Sequence, residues 1–102
     1  MLIARSGAIT VAEIAVAGVA SILFPLPWFV AGEQSGNAQF LASREAALHL
    51  AQLETTPNRL ASVLGGLSRD RLAAMASRAR ALGKPDATRR CADLCAHLAE
   101  AA

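Results

Sequence analysis

The residues most able to do chemistry stand in one stretch, Ser6-Gly7-Ala8-Ile9-Thr10-Val11-Ala12-Glu13. Gly7 and Ala8 carry almost no side chain, so an anion can approach the backbone N–H groups there closely. If a helix starts in this stretch, its first N–H groups have no partners and its dipole is positive at that end. Glu13 lies about one turn further on, and helical side chains lean toward the N-terminus. Its carboxylate then hangs over the same turn, where it can accept hydrogen bonds from two ribose hydroxyls. The chemistry is that of a nucleotide-diphosphate site, with phosphate on the turn and ribose on Glu13. The same residues also have a purely structural reading. Strand, small turn and helix is the commonest connection in α/β proteins, and a lone Glu in a first turn often only complements the dipole.

The flanking elements decide whether that turn forms. Met1–Ala4 is a short apolar run that reads as a strand, and Val11–Ala17 reads as a helix ending at Gly18. Val19–Phe24, bounded by Gly18 and Pro25, suits a strand buried on both faces of a parallel sheet. Pro25-Leu26-Pro27-Trp28-Phe29 then forms a loop at the carboxyl end of that strand. Ligands of open α/β sheets sit outside the carboxyl ends of strands, so this loop and the Ser6–Thr10 turn face one crevice. Glu33–Asn37 adds polar groups there, and a helix starting near Gln34 carries Ala38, Phe40 and Leu41 inward. Ala46–Leu50 is ambiguous between helix and strand, with its Ala and Leu content favouring helix.

Three helices come next. Thr56 caps the first, with Pro57 at its first position, an apolar stripe of Leu60, Val63 and Leu64, and Gly65-Gly66 at its end. Ser68 caps the second, which places Leu72, Met75, Ala76, Ala79 and Leu82 at helical spacing before Gly83. Asp86 caps the last, with Cys91, Leu94, Cys95 and Leu98 on one face. The chain thus reads as one compact α/β unit, with an α/β front over residues 1–54 and a helical tail over 55–102.

Composition narrows the function. The 102 residues are 54% hydrophobic and 18% charged, which excludes a disordered chain. A net charge of +2 is too small to imply a nucleic-acid partner. Residues 69–90 hold seven basic side chains against two acidic ones, yet no aromatics interleave them. Such a run reads as a solvated helix face or as a surface for anionic lipid. Ile14–Gly32 lacks charge over a length that could span a bilayer, but Gly18, Pro25 and Pro27 interrupt it. No secretory leader is visible and nothing points to an oxidising compartment. Cys91, Cys95 and His97 do not make a metal site, because His97 points elsewhere on the helix and no fourth ligand is near. The cysteines read as buried members of an apolar stripe. Trp28 and Phe29 read as loop anchors and His49 as a core residue, and no catalytic triad or carboxylate pair stands out.

The ordered set Arg5–Ile14, Ala17-Gly18, Phe24–Pro27, Gln34 and Asn37-Ala38 resembles the MurG family of peptidoglycan N-acetylglucosaminyltransferases. The run from Ala74 through Thr88 resembles the C-terminal end of that family, so the resemblance covers nearly the whole chain. It implies a partial Rossmann-like C-terminal domain of a two-domain GT-B fold. It also implies part of the site for UDP-N-acetylglucosamine, the donor in converting lipid I to lipid II. The donor-binding run would be Gly7, Ala8, Ile9, Thr10, Val11, Ala12 and Glu13, with Ala8, Ile9 and Thr10 on the diphosphate and Glu13 on the ribose. Gln34 would bind hydroxyls of the donor sugar. The family is inverting and needs no metal or other cofactor for transfer.

The resemblance further implies that Ala46–Leu50 is a strand, against local propensity. Glu33 stands where the family usually has His, Gly32 where an acidic residue is usual, and Ala20 where proline is common. The catalytic base and the lipid I site belong to an N-terminal domain outside these residues, so no catalytic residue is expected in this chain. The chain is expected to be a fragment that transfers no sugar alone, from an enzyme peripheral to the cytoplasmic face of the bacterial inner membrane. No nucleic-acid partner is implied. The alternative is a small stand-alone helical interaction or membrane-associated module.

Overall fold

Three short strands, β1 (Leu2–Ala4), β2 (Ser21–Leu23) and β3 (Leu48–His49), lie parallel and side by side in chain order. They are seen in a computed structural model that describes residues 1–28 and 32–102. Parallel neighbours need a crossover, and helices supply both: α1 (Ala8–Ala17) joins β1 to β2, and α2 (Glu33–Ala42) joins β2 to β3. Leu2, Ile3 and Ala4 pair with Ser21, Ile22 and Leu23, and Ile22 and Leu23 pair with Leu48 and His49. β2 is the central strand, and Ser21, Ile22 and Leu23 are all buried, as an apolar run covered on both faces should be.

α1 stops where the sequence predicts. Gly18 takes φ 67°, and its N–H closes the helix onto Ile14 O and Ala15 O. A residue with a Cβ is strained in that left-handed conformation. The Ala46–Leu50 segment becomes β3, though over only two residues. Glu45, at φ 56°, turns the chain out of α2 so that Ala46 and Ala47 enter the core before β3 pairs with β2. Pairing with a buried neighbour here overrides the local preference for helix.

A single 3₁₀ turn (Gln52–Glu54) leads to α3 (Pro57–Gly65), α4 (Arg69–Leu82) and α5 (Ala87–Ala101). The Thr56 and Ser68 hydroxyls accept from Arg59 N and Arg71 N, each at 3.1 Å, and so cap α3 and α4. α4 packs on α1, and Ala79 joins Val11, Ile14, Ala15, Leu23, Ala38 and Leu41 in one core. The Arg80 guanidinium donates to Ala17 O at 3.2 Å, placing positive charge at the carboxyl end of α1. Gly83 lies so close to α1 that an added Cβ would fall 2.8 Å from Ala15 O and 2.9 Å from the Val16 Cα.

Four expectations need correction. Phe40 is exposed rather than inward. Ala38 and Leu41, three residues apart, share the buried face of α2, and Phe40 lies about 100° round the helix from Leu41. Its ring instead carries the Arg44 guanidinium, 4.5 Å from the centroid. Asp86 makes no capping hydrogen bond, because its ψ of 9° keeps the chain in the turn instead of extending it. Cys91 and Cys95 are exposed, with Leu94 and Leu98, because α5 buries none of its residues against the described part of the chain. Trp28 is 69% exposed and so is no anchor, while Phe29 lies outside the described residues.

The α1–α4 contact sets a direct test. Gly83→Ala places its methyl against α1 backbone, and a loss of about 1–3 kcal/mol is expected. Gly36→Ala, inside α2 with nothing within 4 Å of the added methyl, is expected to gain up to about 1 kcal/mol. Urea denaturation checks both; a Gly83→Ala chain as stable as the parent would show that the two helices part at no cost.

Candidate functional site

Helices α1 and α2 both begin at the carboxyl edge of the parallel sheet, just beyond the strands that precede them. Their positive ends therefore share one side of the molecule. Gly7 is the N-cap of α1, at φ −61° and ψ 153°, and supplies no side-chain cap. The first bond of the helix runs from Val11 N to Gly7 O at 3.0 Å. The N–H groups of Ala8, Ile9 and Thr10 precede it and have no intrahelical acceptor. No acidic side chain stands in this first turn to compete for an anion. Ala8 and Ile9 are exposed, and Gly7 and Thr10 are half-buried, so the turn opens directly to solvent.

The second component comes from α2. Gln34 sits in the first turn of that helix, half-buried. The Leu26 N–H donates to Gln34 Oε1 at 3.0 Å. That bond fixes which end of the carboxamide is which, so Nε2 keeps its protons for another acceptor. Ser6, fully buried, donates from Oγ to Gln34 O at 2.6 Å. Asn37 Nδ2 donates to Ser6 O at 2.9 Å. The Arg5 guanidinium donates to Phe24 O and Pro25 O at 3.3 and 3.4 Å, tying the start of the turn to the loop after β2. Turn, loop and α2 are thus drawn together by side chains of the first and the last.

The residues singled out in the sequence fall into three groups. Gly7, Ala8, Ile9 and Thr10 form the open turn, and Gln34 stands beside it through Ser6. Ala12 and Glu13 lie on the exposed side of α1, where they share a shallow surface groove with Ile9 and Val16. Val11 is different: its side chain is in the core and its N–H is used by Gly7 O, so it holds the run from behind. Sequence reasoning gave Arg5 and Asn37 no role. The signal for Asn37 was its spacing, three residues after Gln34 on the same helical face.

A separate cavity of about 240 Å³ lies next to the loop, lined by Pro25, Leu26, Ser35, His49, Gln52 and Glu54 among others. It sits at the carboxyl ends of β2 and β3, and it makes His49 a half-buried lining residue, not a core one. The α1 turn is an open surface outside this cavity. No group of three or more His, Cys, Asp or Glu among the described residues is placed to hold a metal ion. The arrangement offers unpaired backbone donors for an anion, a carboxylate for hydroxyls, and an oriented amide donor for a further oxygen.

The model of the glycosyltransferase family 28 C-terminal domain matches residues 1–91. The UDP-N-acetylglucosamine–N-acetylmuramyl-(pentapeptide) pyrophosphoryl-undecaprenol N-acetylglucosamine transferase of Nitrosospira multiformis is 53% identical over 95 residues, which cover 93% of this chain and 27% of that protein. The transferase of the same description from Cupriavidus metallidurans is 50% identical over 99 residues, covering 97% and 28%. The crystal structure of Acinetobacter baumannii MurG superposes with a TM-score of 0.85 at 42% identity, over 90% of this chain and 28% of that one. The chain therefore spans little more than a quarter of the length of these relatives.

Ser6 offers the simplest check on the geometry. Ser6→Ala removes a donor from a fully buried position and is expected to cost about 1 kcal/mol in denaturant unfolding. A loss indistinguishable from zero would mean that the 2.6 Å bond does not hold α2 to the turn.

Proposed function

This chain belongs to the glycosyltransferase family 28 C-terminal domain family, and on that premise we propose that it supplies donor-binding residues for transfer of N-acetylglucosamine from UDP-N-acetylglucosamine. The acceptor in this reading is the undecaprenyl-diphospho-muramoyl pentapeptide, lipid I, and the product is lipid II. The observation that carries it is the start of α1, with no side-chain cap at Gly7, three N–H groups that have no intrahelical acceptor, and no acidic side chain in its first turn. A diphosphate is the ligand such a terminus favours. Ala8, Ile9 and Thr10 receive it, Glu13 accepts from the ribose hydroxyls, and Gln34 donates to the sugar.

The same turn has a role in the chemistry. Attack of the acceptor hydroxyl on the anomeric carbon breaks the bond to the β-phosphate oxygen, and negative charge grows on the departing UDP. Fixed N–H dipoles at the helix start stabilise that charge without reorganising. The base that takes the acceptor proton is assigned to no residue of this chain.

The acceptor named in the relatives is lipid-linked while the donor is water-soluble, which supports transfer at the cytoplasmic face of the inner membrane by a peripherally bound protein. No helix among the described residues is long and apolar enough to cross a membrane. The basic residues of α4 and the start of α5 suit an anionic lipid surface.

Titration of the ¹⁵N-labelled chain with UDP-N-acetylglucosamine tests the donor site. Shifts are expected at the amides of Ala8 to Glu13 and at the Gln34 side chain. Glu13→Gln is expected to weaken binding about tenfold or more, the scale of losing hydrogen bonds to a charged acceptor. Shifts confined to other parts of the chain, or a Glu13→Gln chain that binds as the parent does, would remove the assignment.

A further inference from the structure

The sugar-side glutamine does not hold its own position. The N-cap of α2, Gly32, has φ 63° and gives no side-chain cap, so the first turn of α2 is not fastened from within. It is fastened from outside, by the segment that carries the phosphate turn. Ser6 Oγ grips the backbone of Gln34, and Asn37 grips the backbone of Ser6. Both bonds join residue 6 to one face of α2, since Gln34 and Asn37 are three residues apart. Ser6 is followed at once by Gly7, the cap of α1.

We propose that Ser6 and Asn37 are positioning residues that lock the phosphate turn to Gln34, so that diphosphate and sugar are read by one rigid body. This rests on the donor-site reading above. A two-point attachment fixes angle as well as distance, which a single hydrogen bond does not. The third bond, from Leu26 N to Gln34 Oε1, then aims the amide donor. The phosphate turn, the loop after β2 and the start of α2 thereby share one geometry, and the affinity for the sugar depends on residues that hydrogen-bond only within the protein. Preorganisation of this kind strengthens binding of the part of the ligand that needs the register and leaves the rest little changed.

Asn37→Asp is the informative variant. It keeps the size of the side chain and turns the donor toward Ser6 O into an acceptor, which that carbonyl repels. Ser6→Ala breaks the other attachment. The full ¹⁵N-labelled chain is compared with both variants, first without ligand and then titrated with UDP and with UDP-N-acetylglucosamine. Without ligand, the amides of Gly7 to Thr10 are expected to shift in Asn37→Asp although the substitution is in α2; shifts restricted to α2 would refute the coupling. With ligand, the preference for UDP-N-acetylglucosamine over UDP is expected to fall about tenfold in Asn37→Asp, and in the same direction in Ser6→Ala, while affinity for UDP changes less than about twofold. A merely destabilising substitution weakens both ligands in parallel, and that result overturns the proposal, as does an unchanged preference. Absence of shifts with either nucleotide in the parent chain overturns the donor-site reading and this proposal together. Binding by the parent with an unaltered preference in the variants overturns this proposal alone.

Discussion

The close approach of α1 and α4 is the constraint on which the rest of the structure depends. Strands of two and three residues make too few ladder bonds to stand alone, and the sheet persists because helices cover it. α1 is the helix that must be held, since it lies against both the core and the site. It is held by small residues. Ala15 and Ala79 belong to one core, Gly83 lets the chain pass against the α1 backbone, and Arg80 closes the carboxyl end of α1. Each end of α1 is then defined by a different need. Its last carbonyls are partnered by Gly18 and Arg80, and its first N–H groups are left open. The helix is thus closed at its carboxyl end and has no side-chain cap at its start.

Fixing α1 also fixes what is attached to it. The turn before it is reached from β1, and β1 is registered against β2 residue for residue. The loop after β2 is tied back through Arg5, and α2 through Ser6 and Asn37. The carboxyl edge of the sheet is therefore a set of short segments that cross-brace one another with side chains, in place of long strands. That construction explains why a buried serine is tolerated in so apolar a front half. Its hydroxyl and carbonyl are both partnered, so its burial carries little penalty. Ser21, by contrast, is buried with an Oγ that has no partner among the described residues. It lies at the opposite end of β2 from the site, and nothing in the structure accounts for it.

Much of this was legible in the sequence because it is local. Gly18 marks its helix end by needing a positive φ, Thr56 and Ser68 mark helix starts by carrying hydroxyls, and the small Gly7-Ala8 pair marks the start of α1. The elements that misled depend on neighbours that a single segment does not display. Ala46–Leu50 has helical composition, yet Leu48 and His49 within it become strand because β2 offers them an edge. Phe40 looked like core and Asp86 like a cap, but the facing of one and the backbone angle of the other are set by tertiary placement. The hydrogen bonds from Ser6 and Asn37 were invisible for the same reason: they join residues 28 and 31 positions apart. The resemblance supplied β3, where periodicity could not.

α5 is an amphipathic helix that buries none of its residues. All fifteen are solvent-exposed, with Cys91, Leu94, Cys95 and Leu98 in a row along one side. Tertiary contact usually supplies most of the stability of a helix this short, and here intrinsic propensity has to suffice. A segment with no buried residue opens at lower free energy than the packed α1–α4 core, so its amides exchange with solvent ahead of those of the core.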